Sequence, residues 1–203
     1  PTERCNFACT FCSSSSIAEG QKLQDDLGLD KVFQFLDRYP ETRTIIVNGG
    51  DPLMMKPDYY WEMIKGIEER GMNTSISLTT NLWDYWLHPD KWVPLFKHHK
   101  IGVTTSFNYG ETRRITRKEN FTEKIFLKIW TKFKEDVGYG LDFISVITEE
   151  NVDKAIDNVR LAKHLGVECK LNYAMASGEE SVPYPVGKMY EIYAKIYKEG
   201  LGL

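Results

Sequence analysis

Three cysteines, Cys5, Cys9 and Cys12, stand in the run Arg4-Cys5-Asn6-Phe7-Ala8-Cys9-Thr10-Phe11-Cys12 and constrain this chain more than any other feature. The chain has one further cysteine, Cys169. With so few, a C-x3-C-x2-C spacing would arise in roughly one shuffled sequence per thousand. Three close thiolates can hold a metal centre, one ligand short of the usual four of a structural zinc or a closed iron–sulfur cluster. A cluster held by three keeps one iron open to an outside ligand, which suits a catalytic centre. A disulfide framework does not fit a long, cysteine-poor chain with its thiols crowded together. A Cys3His zinc site would need His88, His98, His99 or His164 to be brought back by the fold, and it stands open beside the iron–sulfur reading.

The 203 residues can bury one substantial core. A net charge of −3 provides no global basic field, so no nucleic-acid partner is expected. No apolar run is long enough to cross a membrane, and the polar start does not read as a signal peptide. Free thiols at this spacing fit the reducing cytoplasm. The absence of an initiator methionine and the ending Glu199-Gly200-Leu201-Gly202-Leu203 lead us to expect a fragment of a longer protein.

After a polar run, Ser13 to Ser16, two periods alternate along the chain. Helices are predicted over 29–39, 59–70, 83–98 (broken by Pro89 and Pro94), 120–135, from an Asn151 N-cap to Leu165, and over 186–198. Strands are predicted over 42–47, 74–80, 101–107, 141–148 and 168–173. Repeating strand–helix units imply a parallel α/β sheet, open or closed into a barrel, with function at the carboxyl ends of its strands. Those ends carry Asn48-Gly49-Gly50-Asp51-Pro52, Thr79-Thr80-Asn81-Leu82, Ser106-Phe107-Asn108 and Asn172-Tyr173-Ala174-Met175. The glycine pair allows close approach of a ligand to the backbone. Arg113, Arg114 and Arg117 form a basic turn. Cys169 and the five tryptophans read as core.

The cysteine run, with aromatic Phe11 before its last ligand, is similar to the signature of the radical S-adenosylmethionine (SAM) superfamily. The resemblance implies that Cys5, Cys9 and Cys12 bind three irons of a [4Fe–4S] cluster and that the fourth iron chelates the amino and carboxylate groups of SAM. Reductive cleavage would then give a 5′-deoxyadenosyl radical that takes hydrogen from a substrate. It also implies a partial (β/α)6 barrel with its first strand truncated, residues 1–203 forming the core domain. Gly49-Gly50-Asp51-Pro52 resembles the Gly-Gly-Glu-Pro motif that binds the methionyl amino group, with aspartate in place of glutamate. Thr80-Asn81-Leu82 resembles a Thr-Asn-Gly stretch, with Leu82 in the glycine position. Ser106 lies in a segment similar to Val-Ser-Leu-Asp-Gly, in which Asn108 replaces the aspartate, and Arg117-x-x-x-Phe121 resembles an Arg-x-x-x-Phe pattern. Gly49, Gly50, Asp51, Asn81, Ser106 and Arg117 are therefore the expected SAM contacts.

The fourth-strand segment with Ser106, and Ile147-Thr148-Glu149-Glu150-Asn151 after the fifth strand, which resembles a Val-x-x-x-Asn helix start, point to the SPASM/twitch subgroup, so a peptide-modifying maturase is expected. Its auxiliary clusters need cysteines after the barrel, which this chain lacks. Expected partners are a peptide or small-molecule substrate and an electron donor such as flavodoxin or ferredoxin. A radical SAM enzyme acting on a small molecule or nucleotide, and a non-catalytic metal-binding scaffold, are the alternatives.

Overall fold

A computed structural model describes residues 1–14, 26–175 and 186–201. Ser15, Ser16, Gly202 and Leu203 lie outside the described residues. The chain alternates strands and helices: α1 (Leu29–Arg38), β1 (Thr44–Val47), α2 (Pro57–Glu69), β2 (Ser75–Thr80), α3 (Trp83–Leu87), α4 (Pro89–Phe96) and β3 (Ile101–Ser106). A small antiparallel hairpin, β4 (Arg114–Thr116) and β5 (Glu119–Asn120), comes next. It is followed by α5 (Glu123–Val137), β6 (Phe143–Ile147), α6 (Ala155–Leu165), β7 (Cys169–Tyr173) and α7 (Val186–Lys198). The main sheet has five strands in the order β1-β2-β3-β6-β7, all parallel. It is an α/β half-barrel: the parallel sheet the strand–helix repeat implies, in the partial-barrel form the resemblance implies.

Period-two burial sorts the sheet's faces. Ile76 and Leu78 on β2, Ile101 and Val103 on β3, and Phe143 and Ile147 on β6 are buried in the core. The alternate residues Thr79, Ser106, Ile144 and Val146 line a cavity on the other face. An aromatic chain joins the two regions. Phe107 stacks on Phe126 at 4.5 Å between ring centroids and meets Phe143 and Phe121, each at 6.3 Å. Phe121 in turn packs 5.1 Å from Phe7, inside the cysteine run.

Three local expectations are corrected. The helix predicted from Asn120 begins at Glu123, capped by the Thr122 hydroxyl, because residues 119–120 pair with β4 instead. The segment 83–98 does break at His88, where Pro89 opens a new helix, but Pro94 sits inside α4 without ending it. Asn151 is no N-cap. Its side-chain carbonyl accepts from Thr148 N, and its amide donates to Val146 O and Thr112 Oγ1, so it ties the end of β6 to the loop before β4. Phe107→Ala is expected to cost about 3–5 kcal/mol in urea unfolding, through the cavity it would leave among the rings of Tyr109, Phe121, Phe126 and Phe143.

Candidate active site

The cysteine run carries little regular structure of its own, so neighbouring loops must hold it. On one side the N–H of Gly50 donates to Thr2 O and that of Asp51 to Arg4 O, both at 2.8 Å. On the other, Ala8 N donates to Arg114 O and Thr10 N to Thr112 O, both at 2.9 Å. The run is thus stitched between the turn after β1 and the segment leading into β4. The glycines are needed for this fit. Gly49 has φ +132°, and a Cβ on Gly50 would overlap the carbonyl oxygen of Arg4.

Cys5, Cys9 and Cys12 are unbridged and line one cavity of about 270 Å3 with Phe7, Phe11, the Gly49-Gly50-Asp51 turn, Asn81, Ser106 and Arg113. Burial, then the charge of Asp51, pushes the Cys5 thiol up to about 12. Burial also raises Cys9, opposed by the nearby Arg113 charge. Ligation needs thiolates, so loading a metal centre here must release protons. Among the described residues no three His, Cys, Asp or Glu side chains converge closely enough to hold a single metal ion. A multi-iron cluster makes a different demand, one thiolate per corner, and three separated thiols around a common cavity fit it.

Asp51 is 3% exposed, and its carboxylate is fully engaged. It accepts from Leu53 N at 2.9 Å, from the Thr80 hydroxyl at 2.9 and 3.0 Å, and from Asn81 N at 2.8 Å. Burial pushes its carboxyl above the usual range, against the pull of these donors. The aspartate thus clamps the turn after β1 to the end of β2. Asn81 extends the clamp: its amide donates to Asn6 Oδ1 at 2.7 Å and lies 3.9 Å from Cys5 Sγ, while its carbonyl accepts from Trp83 N at 2.8 Å, opening α3. The next residue, Leu82, holds φ +62°, the left-handed conformation suited to glycine. Such a leucine costs about 1–2 kcal/mol, which its burial at 1% exposure offsets.

Of the expected contacts, Gly49, Gly50, Asp51, Asn81 and Ser106 all line the cavity, and Arg117 does not. Arg117 is exposed in the turn between β4 and β5, because the hairpin carries it away. Arg113 takes the place instead. It is 6% exposed, donates from Nη1 to Ser106 Oγ at 3.0 Å and from Nε to Asn108 Oδ1 at 3.1 Å, and lies over the Phe11 ring at 5.3 Å. The three basic-turn candidates Arg113, Arg114 and Arg117 could not be told apart in sequence without the hairpin's register.

The radical SAM superfamily model matches residues 1–181. An uncharacterized protein of Methanothermobacter thermautotrophicus is 22% identical over 187 residues, 90% of this chain and 69% of the relative. The GTP 3′,8-cyclase of Campylobacter lari is 30% identical over 82 residues, 39% of this chain and 25% of that protein. Among solved structures, anSMEcpe with bound AdoMet superposes with a TM-score of 0.73 at 13% identity, over 100% of this chain. Native anSMEcpe with AdoMet and the Cp18Cys peptide gives 0.72, also at 13% identity and over 100% of this chain. The chain spans 60% of the length of both anSMEcpe chains. At this identity the likeness concerns the fold, a partial barrel.

Gly50→Ala is expected to lose about 1–3 kcal/mol of stability and to retain less iron after anaerobic reconstitution, because its Cβ forces the cysteine run off the turn. Gly102→Ala, whose Cβ would meet nothing closer than Ile76 O at 4.0 Å, is expected to match the unsubstituted protein in both measurements.

Proposed function

Since this chain belongs to the radical SAM superfamily, we propose that it is the catalytic core of a radical SAM enzyme. Cys5, Cys9 and Cys12 would hold a [4Fe–4S] cluster, and SAM would occupy the cavity above the strand ends. The observation that carries this reading is the convergence of three unbridged cysteines, the Gly49-Gly50 turn and a buried arginine on one cavity. When bound, the cluster and SAM supply the electron and the 5′-deoxyadenosyl radical that removes hydrogen from a substrate.

The chain's own residues supply ligation, orientation and exclusion of water. The N–H groups of Gly50 and Asp51 are committed to Thr2 and Arg4, so what this turn can offer the ammonium of SAM is carbonyl oxygen. Asp51 acts at one remove, by fixing Asn81 and the turn. The Asn81 amide lies where it can donate to the Cys5 thiolate, an interaction that tunes a cluster's potential. Arg113 and Ser106 are placed to hold a carboxylate, with Arg113 as a fork donor. Phe7 and Phe11 keep water from the thiolates.

At the finer level the proposed substrate is a peptide and the subgroup SPASM/twitch, supported by the superposition on anSMEcpe holding a peptide. A second reading, a nucleotide substrate, is favoured by the local similarity to the GTP 3′,8-cyclase. The proposed setting is the cytoplasm, with flavodoxin or ferredoxin as electron donor. The deciding experiment is anaerobic reconstitution followed by a 5′-deoxyadenosine assay with SAM and a strong reductant. The unsubstituted protein should form 5′-deoxyadenosine, and the Cys5→Ala, Cys9→Ala, Cys12→Ala variant should form none. No product from the cluster-loaded protein would leave a non-catalytic metal-binding scaffold. Supplying peptides or nucleotides then tests which class accelerates SAM cleavage. Arg113→Ala is expected to weaken SAM binding about tenfold or more, while Arg117→Ala stays within about twofold, as measured by equilibrium dialysis.

A further inference from the structure

A closed parallel barrel fills its interior with branched side chains. The concave face of this half-barrel does not. Register sets Ser77 and Thr79 of β2 on that face beside Gly102 and Thr104 of β3, and the Thr79 and Thr104 hydroxyls meet there at 3.0 Å. Such small side chains leave open space above them. A second cavity, of about 460 Å3, lies against this face, with Thr104, Asp142, Ile144, Glu168 and Lys170 in its lining. Ile144 lines this chamber and the cysteine cavity alike, so the two adjoin.

Charge is graded along the β7 side of the chamber. Lys170 and Asn172 share a face of β7 and pair in register with Ile144 and Val146, while Cys169 and Leu171 between them are buried on the helix side. Asp142 and Glu168 stand at the amino ends of β6 and β7, where Asp142 Oδ1 accepts from Glu168 N at 2.8 Å. Lys170 and Asn172 come next, toward the carboxyl ends where the cysteine run sits. Lys170 is the only cation among the described residues that line the chamber. Among the described residues no hydrogen bond or ion pair engages its side chain, although two carboxylates share the chamber. An anion here is drawn to Lys170 and the Asn172 amide and repelled by Asp142 and Glu168, so it settles on the side of the cysteine cavity. One negative charge matches one ammonium. A dianionic phosphate would bring a second charge against the two carboxylates, which selects against it.

We infer that Lys170, with Asn172 beside it, is a specificity-determining residue that holds a single carboxylate of the substrate, so that the peptide modified here presents an aspartate or glutamate side chain to this chamber. The inference rests on the reading that SAM is cleaved in the adjoining cavity.

The test uses three blocked amino acids as probes: the N-acetyl methylamides of glutamate, glutamine and O-phosphoserine. Their dissociation constants are measured on the reconstituted protein by anaerobic saturation-transfer NMR. The glutamate probe should bind about fivefold or more tightly than the other two. Lys170→Gln should bring it within about twofold of the glutamine probe, whereas Lys170→Arg, which keeps the charge, should preserve the preference. The Asp142→Asn, Glu168→Gln double variant should tighten the phosphoserine probe more than the glutamine probe. Equal binding of the glutamate and glutamine probes, binding of none of the three, or a preference that survives Lys170→Gln overturns the inference. Tightest binding of the phosphoserine probe also overturns it and turns the search to phosphate-bearing substrates. These outcomes leave SAM cleavage untouched. If the cluster-loaded protein forms no 5′-deoxyadenosine from SAM, the functional reading itself falls, whatever the probes do, and takes the inference with it.

Discussion

Two backbone hydrogen bonds, from Gly50 N to Thr2 O and from Asp51 N to Arg4 O, set the position of the cysteine run against the sheet. A segment with its apolar contacts limited to a few rings cannot hold three thiols in a fixed arrangement by packing alone. Main-chain pairing can, provided the partner strand-end comes close enough, and glycine is what lets it approach. The opposite side repeats the device with Ala8 and Thr10 bonded to the carbonyls of Arg114 and Thr112. The cysteine loop is therefore an inserted piece of backbone, and the strand ends of a parallel sheet are its frame.

The side chains around that frame divide by charge. Asp51 is buried and its carboxyl group is held by donors from Leu53, Thr80 and Asn81, so it works as a fastener between β1 and β2. Arg113 is buried, donates to Ser106 and Asn108, and its charge acts on the nearby Cys9 thiol, so it belongs to the cavity itself. Arg113 stands beside Ser106 at one end of the cavity, with the Gly49-Gly50 turn also lining it. The left-handed Leu82 adds local strain at the same rim, where the chain turns sharply from Asn81 into α3.

How much of this could be read from the residues follows from the range of each signal. The cysteine spacing and the Gly-Gly turn are local patterns, and the cavity gathers them as expected. Period-two and helical patterns place the five strands and their helices to within a few residues, because each element buries one face. The hairpin 114–120 escaped notice because its strands are too short for a period, and with it went the choice between Arg113 and Arg117. Asn151 read as a helix cap by type and position, yet its amide serves Val146 and Thr112, partners that only the tertiary fold brings within reach. Asp51 shows the same limit, since its motif suggested a ligand contact while the register of β1 beside β2 turns its carboxylate to Thr80 and Asn81.

On the proposed reading, SAM would bind directly to an iron left open by three cysteine ligands. The most direct measurement is the EPR spectrum of the reduced, reconstituted cluster, recorded without and with SAM labelled with a magnetic isotope at the amino nitrogen. Direct binding predicts a shifted spectrum and a resolved coupling between the label and the cluster. A cluster signal that is the same with and without saturating SAM, with no coupling to the label, would contradict the account.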